Sequence, residues 1–483
     1  MNNSNNNFAK KISSFYDGVA KNRKKWLNKG SAFHKEDVLN IKEFILPNSS
    51  ILELGCGTGN LIKKIKPSYG VGIDLSKEII KEANKDKSNI KFIHGNISDL
   101  KSLIPENQKF DYIILSDTIG YLEDVQSTLE CLHDFCKKET RLIISYYSPL
   151  WSPIFSLATL LRFKMPEIKT QLLNLNDIKS FLKIANFDVV RLEKKILSPI
   201  KLFGLGRVFN RYLATLPILS FFCLRHYVIA RSLENITKPI YKSASVIIPC
   251  KNEEGNIDAA IKRLPRFCEK LEVIFIEGNS KDKTWEKIES VKKRYSRKKE
   301  NFIIKSYKQK GKGKAEAVFF GFEKASNDVL FILDADLTMP PEELPKFWKK
   351  IVQGEAEYVN GTRLIYPMDN EAMRFLNYVA NKIFSILFSW ILSQRYTDTL
   401  CGTKVLTKDN YNKIKIKNND LGNFDPFGDF FIIFGASRLC LKMCEIPIRY
   451  KARSYGETQI SRFSHGFMLI KMVVFAFFKI KAI

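Results

Sequence analysis

The sequence predicts an α/β protein of two domains, each with a largely parallel sheet covered by helices. A chain of 483 residues is too long for one ordinary hydrophobic core, so two domains are expected. Short apolar runs that end in glycine-rich or aspartate-rich turns begin at residue 51 and again at residue 245, a pattern typical of strands buried in parallel sheets. We therefore predict one domain at residues 1–237, including a C-terminal linker at 199–237, and a second domain at 238–483.

The composition is that of a folded and strongly basic protein. Hydrophobic residues make up 45% of the chain and charged residues 27%, which is a globular profile. The 78 Lys and Arg against 51 Asp and Glu give a net charge of +27, which favours an anionic partner: nucleic acid, a lipid headgroup surface or a phosphorylated substrate. No recognised RNA-binding module accompanies this charge, so nucleic acid is not expected. The nine cysteines form no CxxC pair and no zinc-like cluster, which favours a reducing, cytoplasmic setting.

No segment of the sequence is expected to cross a membrane. The Asn-rich start, MNNSNNNFAKK, lacks the apolar core of a signal peptide, and no run reaches the roughly 18 apolar residues that a spanning helix needs. Residues 202–227, 375–392 and 467–478 are rich in apolar and aromatic side chains. Such segments suit shallow burial in an anionic lipid surface. We predict a peripheral association with the inner face of the cytoplasmic membrane.

The first predicted strand of the first domain, with the turn that follows it, has the sequence ILELGCGTGN, residues 51–60. The strand runs into Gly55, Gly57 and Gly59 and then into a helix, so the backbone of the turn can approach a ligand closely without Cβ atoms. A second strand ends at Asp74, fifteen residues after Gly59, where its carboxylate is placed to accept hydrogen bonds from ribose hydroxyls. Further strands follow at regular intervals in NIKFIHGNISDL, FDYIILSDTIGYL and TRLIISYYSP.

These motifs resemble the class I S-adenosylmethionine-dependent methyltransferases, and the resemblance covers residues 33–147. The GxGxG spacing differs from the GxGxxG turn that holds the pyrophosphate of NAD. The resemblance implies S-adenosylmethionine as cofactor and a methyl acceptor near the end of the fourth strand, at Ser116 and Asp117. Many family members have Asp where this chain has Asn96. The cofactor contacts that it implies are Glu53, Gly55, Gly57 and Gly59 around the methionine part and ribose, Asp74 at the ribose, Asn96 and Ile97 at the adenine, and Ser116.

Residues 199–240 differ in character from the domain before them. The strand VVRLEKKIL, residues 189–197, precedes a stretch that is apolar, aromatic and basic, with Pro239 near its end. Two interpretations of this stretch stay open: a helix or hairpin packed between the domains, or one that lies on a membrane surface.

The second domain is organised around NDVLFILDADLTMPPEEL, residues 327–344. The apolar run at 329–333 predicts a strand buried on both faces, and Asp334 and Asp336 follow it. Ligands of an open α/β sheet bind beyond the carboxyl ends of its strands, where these two carboxylates would lie. Their hard oxygen atoms suit Mg²⁺ or Mn²⁺ that carries a diphosphate. For this motif taken alone, an aspartate-rich turn without a ligand is the alternative.

The order of the motifs resembles the family 2 glycosyltransferases, and within them the dolichyl-phosphate mannose synthases. SVIIPCKNEEGNI at 245–257 and LEVIFIEGNSKDKT at 271–284 precede the carboxylate pair, and DTLCGTKVL at 398–406 follows it. The resemblance implies a GT-A fold, a nucleotide-sugar donor, and a metal on Asp334 and Asp336. Glu277 stands where the family more often has Asp, which leaves the identity of the nucleotide open. The implied donor contacts are Pro249, Glu253, Glu277, Asp282, Gly313 and Asp334, and the implied catalytic residues are Asp336 and the candidate base Asp429.

Together the two halves predict a bifunctional enzyme. The second domain would transfer a sugar, with inversion, from a nucleotide sugar to a polyprenyl phosphate or a cell-envelope glycan, while the first would methylate an acceptor that the sequence does not define. A phosphate acceptor is already ionised at neutral pH, so Asp429 would then orient it rather than remove a proton. The alternatives are a glycosyltransferase of soluble metabolites with a non-catalytic S-adenosylmethionine-binding domain, and a membrane scaffold with decayed sites. The presence of both Asp334 and Asp336 argues against decay in the second domain.

Overall fold

The structure, a computed structural model, describes residues 2–86, 88–168, 171–236, 241–296, 301–366, 375–422, 425, 427–453, 455–456 and 462–482. The chain divides into two compact units, residues 1–237 with 482–483, and residues 238–481. The predicted boundary between residues 237 and 238 lies outside the described residues. Each unit contains a seven-stranded sheet with helices, so the prediction of an α/β fold in two domains is confirmed.

The sheet of the first unit places its glycine-rich turn at the centre. The strands are β1 (Ser50–Leu54), β2 (Tyr69–Asp74), β3 (Ile90–His94), β4 (Phe110–Ser116), β5 (Cys136–Tyr147), β6 (Phe187–Lys195) and β7 (Arg225–Ser232). Their order is β3-β2-β1-β4-β5-β7-β6, parallel except for β7. The order reverses direction between β1 and β4, and α/β sheets bind ligands at such a switch point. The helices are α1 (Asn2–Lys29), α2 (Ser31–Glu43), α3 (Asn60–Ile65), α4 (Lys77–Ala83), α5 (Leu100–Leu103), α6 (Val125–Cys131), α7 (Ser152–Leu160), α8 (Leu175–Ile184) and α9 (Leu205–Arg211).

Strand β7 corrects the prediction that residues 199–237 are a linker. All eight of its residues are buried, and it pairs antiparallel with both β5 and β6. The two arginines near its ends made the segment look charge-interrupted, but each forms an ion pair: Arg225 with Asp37, and Arg231 with Asp188. A buried arginine is tolerated only with such a partner, and the partner of Arg225 lies 188 residues away in the sequence. The sequence pattern therefore could not identify the strand.

The second unit has the same general plan with a different strand order. Its strands are β8 (Ser243–Cys250), β9 (Lys270–Glu277), β10 (Phe302–Lys308), β11 (Val329–Ile332), β12 (Tyr358–Thr362), β13 (Lys404–Thr407) and β14 (Met443–Pro447). The order is β10-β9-β8-β11-β13-β12-β14, and β13 is antiparallel to both of its neighbours. Strands β8 and β11 are adjacent and parallel, which places their polar carboxyl ends side by side. The helices are α10 (Ile257–Lys262), α11 (Thr284–Ser296), α12 (Lys314–Lys324), α13 (Leu344–Val352), α14 (Phe375–Leu392), α15 (Lys408–Lys417), α16 (Asp429–Arg438) and α17 (Arg462–Ala476).

Helices α14 and α17 contact each other and each leaves an apolar stripe exposed. Phe388, Ile391 and Leu392 bury the C-terminal end of α14, so this helix is fixed to its unit. Within the described ranges, no helix combines the length and the apolar character needed to cross a bilayer. The exposed stripes consist of Leu376, Val379, Ile383 and Ile386 on α14, and Phe467, Ile470, Val474 and the following Phe478 on α17.

Candidate active sites

The two carboxylates that follow β11 each form an ion pair with a cation from elsewhere in the second unit. Lys314 Nζ lies 2.6 Å from Asp334 Oδ1, and Arg453 Nη2 donates to Asp336 Oδ2 at 2.7 Å. The other oxygen of Asp336 accepts hydrogen bonds from the backbone N–H and the hydroxyl of Thr338, at 3.1 and 2.9 Å. The aspartate pair is therefore held in a set orientation at the carboxyl edge of the sheet.

Arg453 forms ion pairs with two carboxylates, one that follows β8 and one that follows β11. Its Nη1 donates to Glu253 Oε1 at 3.0 Å, while its Nη2 reaches Asp336. Glu253 follows β8, and its other oxygen accepts from Asn256 Nδ2 at 2.6 Å. Burial raises the pKa of Glu253, although Asn256 and Arg453 act in the opposite direction. One guanidinium thus neutralises carboxylates from two loops.

Lys314 is placed by a glycine that starts its helix. Gly313 has a φ of 92°, a left-handed conformation that glycine adopts without steric cost, and α12 begins with Lys314. Burial alone would lower the pKa of the Lys314 amine, but Asp334 and Asp429 outweigh burial and raise it. Burial likewise would raise the pKa of Asp334, and Lys314 lowers it instead. Both groups are therefore charged at neutral pH.

Gly402, in the predicted motif DTLCGTKVL, lies with its backbone directly beside the side chains of Asp334 and Lys314. A Cβ atom on Gly402 would lie 2.0 Å from Asp334 Oδ2 and 2.7 Å from Lys314 Nζ, so only glycine fits. The same motif is anchored by Asp398, which is fully buried and accepts from Arg363 Nε and Nη2 at 2.7 and 2.9 Å. The motif therefore shapes the wall of the site rather than supplying a reactive group.

Asp429 lies at the first position of α16 and is buried beside a lysine. Its Oδ1 lies 3.2 Å from Nζ of the fully buried Lys404, but without hydrogen-bond geometry, and among the described residues that oxygen has no hydrogen-bond partner. The preceding Gly428 brings α16 against α12, because a Cβ there would lie 3.1 Å from Ala315 Cα. Asp429 thus belongs to the same cluster as Lys314 and Asp334. Asp425 lies close by, and burial raises its pKa to about 6.

The residues predicted to bind the nucleotide form the lip around the ends of β8 and β9. Pro249 is half-buried within β8, and Glu277 ends β9 with its Oε1 accepting from Ser280 N at 2.5 Å. Asp282 accepts hydrogen bonds from Thr284 N at 3.1 Å and from Glu254 N at 3.3 Å. These contacts tie the loop after β8 to the start of α11. Their predicted role in nucleotide binding stays a prediction.

The donor atoms of this site fit a hard divalent cation only in part. No group of three or more His, Cys, Asp or Glu side chains that could hold a metal occurs in the part of the chain that the structure describes. Asp334 and Asp336 offer carboxylate oxygens of the kind that Mg²⁺ uses, and Mg²⁺ commonly takes its remaining ligands from substrate phosphates and water. The pair is therefore suited to a metal that arrives with a diphosphate rather than to a metal held by the protein alone.

In the first unit the three predicted glycines have left-handed backbones, but they differ in what surrounds them. Their φ angles are 70° at Gly55, 54° at Gly57 and 73° at Gly59. A Cβ on Gly55 would lie 2.3 Å from Thr118 Oγ1, and a Cβ on Gly59 would lie 2.4 Å from the ring of Phe92. A Cβ on Gly57 would meet no heavy atom of the described chain within 4 Å. Gly57 thus faces open space, while its two neighbours allow close packing.

Two acidic residues hold the glycine loop in this shape. Asp74 accepts from Gly57 N at 2.9 Å and from Ser76 N at 3.0 Å, so its carboxylate lies beside the open face of the loop. Glu53 is buried, and its Oε2 accepts from Ile62 N at the start of α3 at 3.2 Å. Burial raises the pKa of Glu53 to about 8. The structure brings both residues to the turn, as the sequence predicts.

The remaining predicted contacts lie at the same edge of the sheet. Asn96 Oδ1 accepts from Ser98 N at 3.1 Å and so caps a short turn that begins at Ile97. Ser116 ends β4, where its hydroxyl accepts from Arg225 Nη2 at 2.9 Å. Asn96 follows β3 and Ser116 ends β4, so both lie at the carboxyl edge of the sheet that also carries the glycine loop.

Sequence reasoning missed a buried charge network beside Ser116. Arg225 is fully buried, donates to Asp37 Oδ1 from Nε at 3.0 Å and forms an ion pair with Asp117. Asp117 has a φ of 58° and a partly exposed side chain, and the ring of Tyr147 lies 4.9 Å from the guanidinium. Charged and aromatic groups therefore surround the point where β4 and β5 end. Arg225 and Arg453 carry no local sequence signal, whereas Lys314 lies in the basic stretch KQKGKGK and Lys404 lies in the motif DTLCGTKVL.

Helix α1 covers the same edge and was also not predicted as part of the site. Tyr16 donates to Tyr121 Oη at 2.9 Å, and Asp17 accepts from the hydroxyl of Ser76 at 2.6 Å. Tyr121 follows β4 and Ser76 follows β2. The helix therefore closes over the strand ends that flank the glycine loop.

Comparison with known proteins identifies the two units. Residues 45–198 match the family model for a methyltransferase domain, and residues 245–413 match the model for glycosyl transferase family 2. These matches thus assign a transferase family to each of the two units. The chain carries a methyltransferase domain followed by a glycosyl transferase family 2 domain, so both predicted resemblances are confirmed.

Individual relatives match only part of the chain. Dolichol-phosphate mannosyltransferase of Pyrococcus furiosus is 35% identical over 127 residues, which cover 25% of this chain and 34% of that relative. Undecaprenyl-phosphate 4-deoxy-4-formamido-L-arabinose transferase of Photorhabdus laumondii is 26% identical over 224 residues, 46% of this chain and 63% of the relative. The structure of magnesium protoporphyrin IX methyltransferase from Synechocystis with bound SAH covers 47% of this chain and 99% of that chain, at 15% identity and a TM-score of 0.34.

Proposed function

We propose that the chain is a bifunctional enzyme that transfers a sugar from a nucleotide sugar to a polyprenyl phosphate and methylates a second acceptor with S-adenosylmethionine. The observation that carries the first activity is the cluster of Asp334, Asp336, Lys314 and Arg453 at the carboxyl edge of the second sheet. A nucleotide sugar leaves as a diphosphate, and cations together with a carboxylate-bound metal are the groups that stabilise such a leaving group.

In this proposal the two ion pairs mark where the diphosphate binds. Arg453 and Lys314 now neutralise Asp336 and Asp334, and both cations can turn toward phosphate oxygens when a donor enters. Mg²⁺ or Mn²⁺ bound with the donor would supply Lewis-acid neutralisation of the departing diphosphate. Glu253, Glu277, Asp282, Pro249 and Gly313 shape the donor pocket around these groups.

The acceptor is proposed to be a polyprenyl phosphate. The two relatives named above carry dolichol phosphate and undecaprenyl phosphate in their names, which supports this class. An ionised phosphate needs no general base, so Asp429, fixed next to Lys404, orients the acceptor for inverting attack on the anomeric carbon. The exposed stripes of α14 and α17 and the net charge of +27 favour docking on an anionic membrane surface, where such a lipid resides.

The first unit is proposed to bind S-adenosylmethionine across its glycine loop. The open space at Gly57 and the adjacent carboxylate of Asp74 carry this proposal, since the cofactor needs close backbone approach and a ribose acceptor group. Asn96, Ile97 and Ser116 would complete the pocket. The cofactor supplies an electrophilic methyl group, and the protein's part is to place the acceptor near Ser116 and Asp117.

Mass spectrometry of lipid extract tests the proposal. The purified 483-residue chain is incubated with polyprenyl phosphates, a panel of nucleotide sugars and Mg²⁺ or Mn²⁺, with and without S-adenosylmethionine. We expect a glycosylated polyprenyl phosphate that Asp336→Asn reduces by about 10² or more, because the metal-bound diphosphate stabilises the transition state. The same variant should bind S-adenosylmethionine unchanged by calorimetry. Wild-type turnover of Asp336→Asn, or transfer only to water-soluble acceptors, would contradict the proposal.

A further inference from the structure

Helix α7, in the first unit, is apolar yet none of its nine residues is buried. Leu160 is 79% exposed, and Phe163, just beyond the helix, is 75% exposed. Scattered exposed apolar residues are ordinary, but a whole helix without a buried side chain is not, because tertiary packing of an apolar face is what normally stabilises a short helix. The exposed large side chains of this segment are Leu150, Ile154, Leu157, Leu160, Leu161 and Phe163.

A second apolar segment joins α7. Trp151 Nε1 donates to the carbonyl of Phe222 at 2.9 Å, which fixes the turn at 219–222 to the start of α7. Asn210, on α9, is tied to residue 198 by two hydrogen bonds with the backbone of Ser198, at 2.7 and 2.8 Å. The exposed side chains of this segment are Ile200, Leu202, Phe203, Leu205, Val208, Leu216, Ile218, Phe221 and Phe222. We call the surface formed by residues 150–163 and 200–222 the α7 surface.

The charged residues within the α7 surface are all basic, and Glu167, the first acid along the chain after α7, forms an ion pair with Lys164. The sequence contains no Asp or Glu between residues 140 and 166, and none between 194 and 233. Basic residues occur in both intervals: Arg162, Lys201 and Arg207 are exposed, and Lys194 Nζ lies 5.6 Å from the ring centre of Phe221. Surfaces that lie in the interface of an anionic bilayer have this composition: leucine and phenylalanine side chains bordered by lysine and arginine, without acidic residues.

We propose that the α7 surface inserts into the headgroup region of an anionic phospholipid bilayer, so that the methyltransferase unit has a membrane contact of its own. Its residues differ from those of the stripes on α14 and α17. A protein partner would need shape and hydrogen-bond complementarity, whereas a bilayer needs only exposed apolar side chains and a positive border, and those are what the surface offers.

The surface also adjoins the proposed methyl-acceptor site. Phe155 of α7 contacts Tyr147 edge to face, with ring centres 5.0 Å apart, and Tyr147 lies over the Arg225 guanidinium that pairs with Asp117. Insertion of the α7 surface would therefore bring the acceptor side of the first unit to the lipid. This part of the inference rests on the proposed function, and it assigns the methyl acceptor to the class of membrane-borne, lipid-linked molecules.

Vesicle binding by the 483-residue chain tests the α7 surface without any assay of transfer. The background is Ile383→Glu with Ile386→Glu, which removes the contribution of the α14 stripe. Into this background we place Leu157→Glu with Phe163→Glu, or the control pair Ile184→Glu with Leu172→Glu. Leu157 and Ile184 are both 56% exposed in helices of the first unit, so the pairs are matched.

We expect the Leu157 and Phe163 pair to weaken binding to phosphatidylcholine–phosphatidylglycerol vesicles by at least about tenfold, and the control pair by less than about twofold. In a second measurement, brominated phospholipid should quench the added fluorescence of Phe163→Trp but not that of Ile184→Trp. Equal vesicle binding by both pairs, or equal quenching at both positions, would overturn the proposal. So would self-association of the wild-type chain through this surface without vesicle binding. Failed sugar transfer with intact vesicle binding would instead count against the proposed function alone.

Discussion

Gly57 has no side chain on the open face of the glycine loop. The residue combines a φ of 54° with empty space where a Cβ would point. We predict that Gly57→Val abolishes S-adenosylmethionine binding in calorimetry, because the side chain fills that space, while the strained backbone costs about 1 to 3 kcal/mol of stability. Gly59→Val is the control: it should lower the unfolding temperature more, since its Cβ would clash with Phe92. Equal affinity of wild type and Gly57→Val would show that the loop is only structural.

Glu53 gives the first unit a pH-dependent stability. Its pKa is about 8 in the folded chain against an ordinary value of 4.5, because it is buried. Between these values the folded chain holds a proton that the unfolded chain has released, so raising the pH through this window lowers the free energy of unfolding, by on the order of a few kcal/mol.

The prediction is that Glu53→Gln removes this decline, because glutamine cannot ionise and keeps an oxygen to accept from Ile62 N. Guanidinium chloride unfolding, followed by circular dichroism without cofactor, compares the two proteins at pH 5 and pH 8.5. The stability of the variant relative to wild type should rise with pH. A constant difference would mean that Glu53 is already ionised in the folded chain.

At the scale of elements, α14 has a buried end and an exposed apolar stripe. Phe388, Ile391 and Leu392 anchor it to the second unit, while Ile383 and Ile386 lie on the exposed stripe. We predict that Ile383→Glu with Ile386→Glu weakens binding to anionic vesicles without lowering the unfolding temperature, because both side chains are exposed. Ile416→Glu on α15, where the isoleucine is 61% exposed, serves as the control in the same unit. Loss of vesicle binding by the control as well would indicate a general charge effect.

At the scale of the whole molecule, the net charge of +27 makes the proposed membrane association depend on salt. Each basic residue near an anionic surface contributes about 1 kcal/mol, and this attraction is screened within roughly 10 Å at 0.1 M salt. We predict that vesicle binding weakens steeply as salt rises and that neutral vesicles bind far less. Flotation assays over a salt series measure both. Retention on membranes after a high-salt or carbonate wash would contradict a peripheral mode.

The local features of this protein follow from its sequence, whereas the contacts that complete both sites required the tertiary structure. The glycine loop at 55–59 and the carboxylates after β11 could be predicted because strand pattern and turn chemistry act over a few neighbouring residues. Arg453, by contrast, pairs with Glu253, which lies 200 residues earlier in the sequence, and with Asp336, which lies 117 residues earlier. Strand β7 likewise can bury Arg225 because its guanidinium pairs with Asp37. An arginine has the same sequence signature whether it faces water or a distant carboxylate, so its role is decided only when packing brings the two together.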